Sequence, residues 1–323
     1  MDWKNVVLDE STTCLLQRLD DKLAKLNQSR PLPAAALNRI KDELAMEWTY
    51  NSNSIEGNTL TLQETKLVLQ DGITVKGKPL REHFEAVNHH DAVDYIESIV
   101  KPNYVINERD VLHTHALVLD KIEKDFAGRF RNAGVRITGA NHTPPNALKV
   151  YDYIHDLMHW VNEESGGLHP IIRAAVFHHR FVWIHPFFDG NGRSVRLLFN
   201  LLMMKHGFPP AIILRNDRKK YYAALNKANE GDYQKLFLLV CQAMERSLDI
   251  YLSNLDNYAE DYKSISNIVH EGLASYGYSQ EYISLLARRG EIDAYKEGRV
   301  WFTTPDAIHD YVKGRKRIRK TVS

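Results

Sequence analysis

The sequence predicts a mainly α-helical chain, and three observations predict it. Apolar residues recur at helical spacing in one segment after another. Period-two alternation is confined to short stretches near Val135 and near Gly298. Glycines and prolines fall between the helical segments. At 323 residues, two or three domains are expected, with divisions at about 1–105, 106–255 and 256–323.

Composition narrows the function classes. A hydrophobic share of 44% with 26% charged residues fits a globular protein. A net charge of +1 gives no overall pull toward nucleic acid or membrane. The two cysteines, Cys14 and Cys241, form no disulfide framework and show no metal-ligand spacing, so a reducing cytoplasmic setting is expected. The start of the chain has no basic segment followed by an apolar core, and no apolar run is long enough to span a bilayer.

In the segment 1–105, Leu15–Leu26 has helical spacing and ends before Pro31 and Pro33. Leu37–Trp48 reads as an amphipathic helix with Ile40, Leu44 and Trp48 on one side. Gly57 and Asn58 stop it, and Thr61 with Glu64 forms a capping box for the next helix. After Gly72 a loop leads into a helix whose buried side includes Val87, Val93 and Ile96. His83, His89 and His90 lack a metal-ligand spacing and read as part of a polar face.

In the segment 106–255, helices are expected at Arg109–Leu119, Val150–Glu163 and Pro170–Val182, and again from Tyr221. Between the first two, Gly128, Gly134, Gly139 and Pro144-Pro145 exclude a helix. Val135–Thr138 alternates like a short edge strand, which the sequence does not separate from an ordinary surface hairpin. His178 and His179 have no zinc spacing and read as packed or hydrogen-bonded residues. Tyr221, Tyr222 and Asn229 suit either a ligand-facing helix side or the core and a helix cap. In the segment 256–323, Tyr262–Val312 reads as a turn, a helix capped by Ser279, a strand pair around Gly298 and a last helix. The strand pair would run from Ile292 to Tyr295 and from Arg299 to Phe302, and a basic tail, KGRKRIRK, follows.

The stretch with chemistry in it is HPFFDGNGRSVR, from His185 to Arg196. His185 can move a proton, and Asp189 is a hard oxygen ligand. The turn Gly190-Asn191-Gly192 would leave backbone N–H groups free at a helix start, a ready anion site. Arg193 and Arg196 lie three apart, so both guanidinium groups reach one face. Together they suit chemistry on a nucleoside triphosphate.

At every fixed position this string resembles the signature of the Fic family, H-x-F-x-D/E-G-N-G-R-x-x-R. The helix with Glu85, Val87 and Asn88 is similar to the linker helix before Fic cores, and Ser52-Asn53-Ser54-Ile55-Glu56-Gly57 resembles the family's inhibitory motif. The resemblance implies a Fic-type helical bundle with a short β-hairpin flap at Val135–Thr138, followed by a small winged helix-turn-helix domain.

It also implies a protein adenylyltransferase that moves AMP from ATP to a Ser, Thr or Tyr hydroxyl of a target protein. His185 would be the base, and Asp189 would hold Mg2+. Nucleotide contacts would come from Thr138, Gly139, Ala140, Asn141 and Val182, and from Gly190, Asn191, Gly192, Arg193, Ser194, Val195 and Arg196. Tyr222 and Asn229 would line the adenine and ribose. Glu56, with Ser52 and Gly57 in its motif, would pair with Arg196 where the γ-phosphate belongs. Glu56 would also suit the reverse reaction, removal of AMP. The flap would hold the target by strand addition, and a homodimer is expected. Two alternatives stand beside this reading. One is a DNA-binding regulator with a nucleotide-sensing core, its C-terminal domain touching DNA or ending in a solvated tail. The other is a Doc-like kinase, against which Gly192 argues.

Overall fold

Helical spacing becomes helix along most of the chain in a computed structural model of the protein, which describes residues 3–4, 6–30, 32, 34–254, 262–272, 277–297 and 300–321. Pro31, Pro33, Gly298 and Arg299 fall outside the described residues. Helix α1 (Glu10–Gln28) starts where the Asp9 carboxylate accepts from the Thr12 N–H. Helix α2 (Ala34–Ile55) continues past Trp48 into the Ser52–Gly57 motif and ends one residue before Glu56. Helix α3 (Leu62–Asp71) opens on the expected capping box of Thr61 and Glu64, and Gly72 closes it at φ 64°. Helices α4 (Leu80–Ile99), α5 (Glu108–Val118) and α6 (Val150–His159) follow. Then come α7 (Pro170–Ile184), α8 (Asn191–Met204), α9 (Arg218–Asn229) and α10 (Gln234–Leu252).

The chain divides into two compact units along lines other than the three expected segments. One unit joins Met1–Val7 to Leu37–Ala243, and the other joins Leu8–Ala36 to Met244–Ser323. The residues from Leu37 to 105 therefore share a unit with most of the 106–255 segment, because α4 packs on both α5 and α8.

In the first unit α8 is buried from Arg193 to Met203, and α4, α5 and α7 pack around it. A helix apolar on all sides belongs at the centre of a core. It nonetheless carries buried Arg193, Arg196 and Asn200. Opposite them, the last turns of α2 bury Thr49, Asn51, Ser52, Asn53 and Ser54. The histidines of α4 serve the fold: His89 is buried with Thr49 Oγ1 3.2 Å from its Nδ1, and His83 Nε2 accepts from the Val75 N–H at 2.8 Å.

The 132–146 loop corrects one expectation. Val135–Thr138 has no strand partner among the described residues and stays irregular. Its alternation has no neighbouring edge to pair with. A turn with the Ala140 N–H on the Ile137 carbonyl (3.3 Å) shapes the tip, and Gly139 takes φ 80° there.

The second unit holds α1, the end of α10 and the C-terminal elements. These are β1 (Lys263–Ser264), α11 (Ile265–His270), α12 (Gln280–Arg288), β2 (Ala294–Glu297), β3 (Val300–Thr303) and α13 (Pro305–Thr321). The sheet order is β1-β3-β2, all antiparallel, with Glu297 opposite Val300. Ser279 caps α12 as expected, accepting from the Tyr282 N–H. Ile265, Ile268, Ile283, Leu286, Ile292 and Ile308 form the core. The basic tail lies on α13, and the side chains of residues 315–320 are outside the described residues.

A buried ionic cluster ties this unit together. Lys22 Nζ lies 2.6 Å from Asp293 Oδ1, 2.7 Å from Asp249 Oδ1 and 3.2 Å from Glu245 Oε1. Arg18 Nε meets Glu245 Oε1 at 2.6 Å. Burial works against the Lys22 charge, and Glu245, Asp249 and Asp293 outweigh it, holding its pKa well above the usual lysine value. Removing one partner of such a cluster strands the others in a dry interior. Lys22→Ala should therefore cost roughly 3–5 kcal/mol, read as a lower urea midpoint. A loss within about 0.5 kcal/mol, typical of a surface change, would contradict this.

Candidate active site

The loop between α7 and α8 is shaped by its own side chains. Asn191 Oδ1 accepts from the Phe187 N–H at 2.9 Å, and Asn191 Nδ2 donates to the Phe187 carbonyl at 2.9 Å. The Phe187 ring is fully buried and stacks on His115, with centroids 3.5 Å apart and planes 3° apart. The Gly128 N–H donates to His115 Nδ1 at 3.0 Å, so Nε2 carries the proton and donates to the Asp189 carbonyl at 3.0 Å. Burial pushes the His115 pKa down to about 4, in keeping with a neutral ring. Gly190 sits at φ 74° where a Cβ would meet that ring at 3.3 Å, so the position favours glycine on both counts.

The N–H groups of Asn191, Gly192 and Arg193 stand in the first turn of α8, which precedes any intrahelical acceptor. They form the positive end of the helix dipole. Asp189 lies beside them: its Oδ1 accepts from the Gly190 N–H at 2.6 Å and meets Arg193 Nη2 at 3.3 Å, and its Oδ2 takes Arg81 Nη2 at 2.7 Å. Burial raises the Asp189 pKa, but Arg193, the Gly190 N–H and Arg81 together hold it below the usual carboxylate value. Arg193 Nη1 also lies 3.4 Å from Glu85 Oε1. Glu85 in turn accepts from Asn58 Nδ2 at 3.0 Å.

One turn further along α8, Arg196 is buried against α2. Its Nε donates to Ser52 Oγ at 3.0 Å, and its Nη2 donates to the Ser52 carbonyl and to Glu56 Oε1, each at 2.8 Å. Burial opposes the Arg196 charge, and Glu56, ahead of Tyr221, more than restores it. A Cβ on Gly192 would overlap the Glu56 carboxylate. The glycine therefore lets the carboxylate lie directly on the α8 start. Arg218 Nε donates to the Ile55 carbonyl at 2.6 Å, closing the end of α2 beside Glu56, and its guanidinium lies 4.9 Å from the Tyr222 ring centre.

His185 ends α7 in a left-handed conformation, φ 50° and ψ 62°, with its N–H on the Phe181 carbonyl at 2.9 Å. Burial, reinforced by Arg131, pushes its imidazole down to about 4, while the backbone of Val182 works the other way. It is thus a neutral imidazole in a half-buried position.

The structure brings several predicted residues together and sets others apart. Asn226 Nδ2 donates to the Gly139 carbonyl at 3.0 Å, and Asn229 Nδ2 donates to Asn141 Oδ1 at 2.7 Å, so the loop tip rests on α9. Thr138 is exposed, while Ala140 and Val182 are half-buried. Ser194 and Val195 are fully buried and turn away from solvent, so their side chains belong to the α8 packing. The Asn191 side chain is spent on Phe187, which leaves its backbone N–H for an anion. His178 and His179 are packed and bonded as expected, His178 to Tyr221 Oη at 3.0 Å and His179 to Asn229 Oδ1 at 2.9 Å. Arg81, His115, Arg131 and Arg218 were not legible as site residues, since each lies far along the chain from the partner it serves.

Asn191→Ala should leave the buried N–H and C=O of Phe187 without partners, at a cost of about 2 kcal/mol or more. The measurement is the denaturant midpoint together with amide exchange at Phe187. Unchanged exchange there would show that the loop holds its shape by other means.

Comparison with known proteins agrees with this geometry. A sequence model of the Fic/DOC family matches residues 105–203. Protein adenylyltransferase Fic of Drosophila grimshawi is 38% identical over 251 residues, which is 77% of this chain and 51% of that protein. The protein of the same name from Drosophila virilis is 38% identical over 246 residues, covering 76% and 50%. The chain thus spans about half the length of the curated relatives it matches. A solved fragment of Fic-1 from C. elegans superposes with a TM-score of 0.69 at 33% identity, covering 75% of this chain and 72% of that one. A Fic family protein from Desulfovibrio desulfuricans G20 shares the fold over 93% of this chain and 97% of its own, with a TM-score of 0.64 at 23% identity. At 33% identity over 72% of the solved Fic-1 fragment, the chain belongs to the Fic family.

Proposed function

We propose that the chain is a protein adenylyltransferase that transfers AMP from ATP to a side-chain hydroxyl of a target protein, held back by Glu56. The observation that carries this reading is the Glu56–Arg196 contact of 2.8 Å laid across Gly192, next to the neutral base His185. A carboxylate sits where a phosphate oxygen would find the same guanidinium. The N–H groups of the first α8 turn would receive the α-phosphoryl oxygens, whose charge grows in the transition state. Arg193 and Arg196 would take the β- and γ-phosphates and ease departure of pyrophosphate. His185 would accept the proton of the attacking Ser, Thr or Tyr hydroxyl.

Asp189 suits Mg2+. It is one ionised carboxylate, 40% exposed at its side chain, and its second oxygen is held by the half-exposed Arg81. Mg2+ commonly takes one or two carboxylates plus substrate phosphates. When bound, the ion would neutralise phosphate charge. Glu56 also acts on the charge of His185, so the same carboxylate would be placed to orient a water for removal of AMP.

The 132–146 loop would present the target beside His185, by contacts other than a preformed strand. Self-association as a homodimer stays part of the reading and is checked by light scattering. In the second unit, the order of a capped helix, two antiparallel strands and a final helix supports a winged helix-turn-helix. The DNA-binding alternative gains less: Arg288 Nε folds back on the Ser284 carbonyl at 3.1 Å, and Arg289 pairs with Glu291 at 3.6 Å. No helix among the described residues is long and apolar enough to cross a membrane.

Glu56→Gly should raise AMP transfer by on the order of tenfold or more, the factor that ~1.4 kcal/mol of lost competition supplies. The assay is labelling of proteins from α-labelled ATP. Label arriving only from the γ-position would identify a kinase, and equal labelling by parent and variant would remove the restraint. In the released variant His185→Ala should abolish transfer while ATP still binds.

The His185 pKa near 4 fixes the pH dependence. The imidazole is neutral above that value and protonated below it. The acid limb of the transfer rate should therefore fall near pH 4, with little change between about pH 6 and 8. A limb centred near the ordinary histidine value of ~6.5 would show that the ring is solvated during turnover.

A further inference from the structure

The buried group that the proposed mechanism leaves unused is Arg131. Only 2% of it is exposed, yet it belongs to no helix or strand and, among the described residues, pairs with no carboxylate. Its guanidinium is spent on backbone. Nε donates to the His185 carbonyl at 2.8 Å, Nη1 to the Ala133 carbonyl at 2.9 Å, and Nη2 to the Pro145 and Ile184 carbonyls at 2.6 and 3.3 Å. Its own N–H donates to the Pro186 carbonyl at 2.9 Å. Two of these acceptors end α7, and two stand at the roots of the 132–146 loop.

We infer that Arg131 is the positioning residue of the site, a single guanidinium that locks the His185 backbone and both roots of the 132–146 loop into one frame. Three features argue for a role beyond filling space. First, the end of a helix offers carbonyls that lack intrahelical partners, and a cation there is favourable. Second, His185 occupies a left-handed conformation, φ 50°, that is unfavourable for a non-glycine residue. Such a conformation persists when its surroundings over-determine it, and the hydrogen bond to the His185 carbonyl supplies part of that constraint. Third, a planar fork with donors on all three nitrogens can satisfy acceptors in several directions at once, which an ammonium cannot do from one atom.

The consequence is mechanical and electrostatic together. The loop that would carry the target hydroxyl and the residue that would take its proton share one anchor. Base and nucleophile would then be registered to each other rather than to separate parts of the fold. The charges acting on the His185 ring are Arg131, Glu56 and His142. Arg131 and His142 disfavour its protonation, and Glu56 favours it.

This inference rests on His185 being the base, and two variants separate its failure from the failure of that reading. Arg131→Lys keeps the charge and loses the fork; Arg131→Met loses both. In the Glu56→Gly background, Arg131→Lys should lower kcat on the order of 100-fold, as misplacement of reacting groups by about 1 Å does, with KM for ATP unchanged. In the Glu56 parent, NMR titration of labelled His185 needs no turnover. The titration should stay low in Arg131→Lys and move up by about one pH unit in Arg131→Met. Full kcat in Arg131→Lys would overturn the positioning role. So would a kcat loss matched by weaker ATP binding and a lower melting temperature, the mark of general damage. Should Arg131→Met fail to fold, the kcat against KM split in Arg131→Lys decides alone. Absence of transfer in the Glu56→Gly parent would instead sink the transferase reading, leaving the titration to stand by itself.

Discussion

A guanidinium buried in the centre of a helical core is costly unless acceptors meet it, and at Arg196 two of its three nitrogens, Nε and Nη2, are met from one helix. Its acceptors come from α2, where Ser52 offers both a carbonyl and a hydroxyl and Glu56 offers a carboxylate. This explains why the last turns of α2 are polar although they are buried. They are the receiving surface for a charge carried on α8. The division of labour has a consequence. Ser52 would keep its two hydrogen bonds to Arg196 if Glu56 withdrew, so the guanidinium would stay hydrogen-bonded while its counterion changed. Withdrawal of the carboxylate alone strands a buried charge, whereas its exchange for a phosphate does not, which suits the contact to competition with a ligand.

The same logic runs along the start of α8. Arg193 faces Asp189 and Glu85, and Asp189 faces Arg81. Without phosphates, each cation at the cradle is compensated by a carboxylate of the chain itself. Phosphates would find the guanidinium groups already aligned, and binding exchanges one set of counterions for another. Alignment in advance is what lowers the reorganisation cost of transition-state stabilisation. Gly192 belongs to this arrangement through its missing Cβ, which is the space that the Glu56 carboxylate uses.

How much of this could be read from the chain follows from range. The capping box at Thr61, the cap at Ser279 and the pairing of Glu297 with Val300 near the expected strand turn depend on neighbours a few residues apart. They were legible for that reason. So was the common face of Arg193 and Arg196, one helical turn apart. The Val135–Thr138 alternation misled because a strand needs a partner edge, which a local pattern does not reveal. Asn191 was assigned to the ligand by its place in the motif, while its side chain closes on Phe187 four residues back. Arg131 was invisible because its signal is the absence of any charge partner, and that appears only when carbonyls 2 to 54 residues away converge on it.

The histidines around the site tie these points to one electrostatic outcome. The Tyr233 hydroxyl donates to His179 Nδ1 at 2.7 Å, and His179 Nε2 then donates to Asn229 Oδ1 at 2.9 Å. Asn229 Nδ2 donates to His142 Nδ1 at 3.0 Å, which leaves His142 Nε2 to donate to the Trp183 carbonyl at 3.2 Å. Each ring has one donor and one acceptor nitrogen, so the chain of bonds holds only while both are neutral. Burial depresses the pKa of His142 and brings that of His179 down to about 4, which keeps them so. His115 and His185 reach about 4 by the same cause. The loop tip on α9, the Phe187 stack and the proposed base thus rely on uncharged imidazoles. All fixed charge at the cradle then resides on arginines and carboxylates. A site built this way would hold its field constant while a single ring, His185, gained and lost a proton in the proposed reaction.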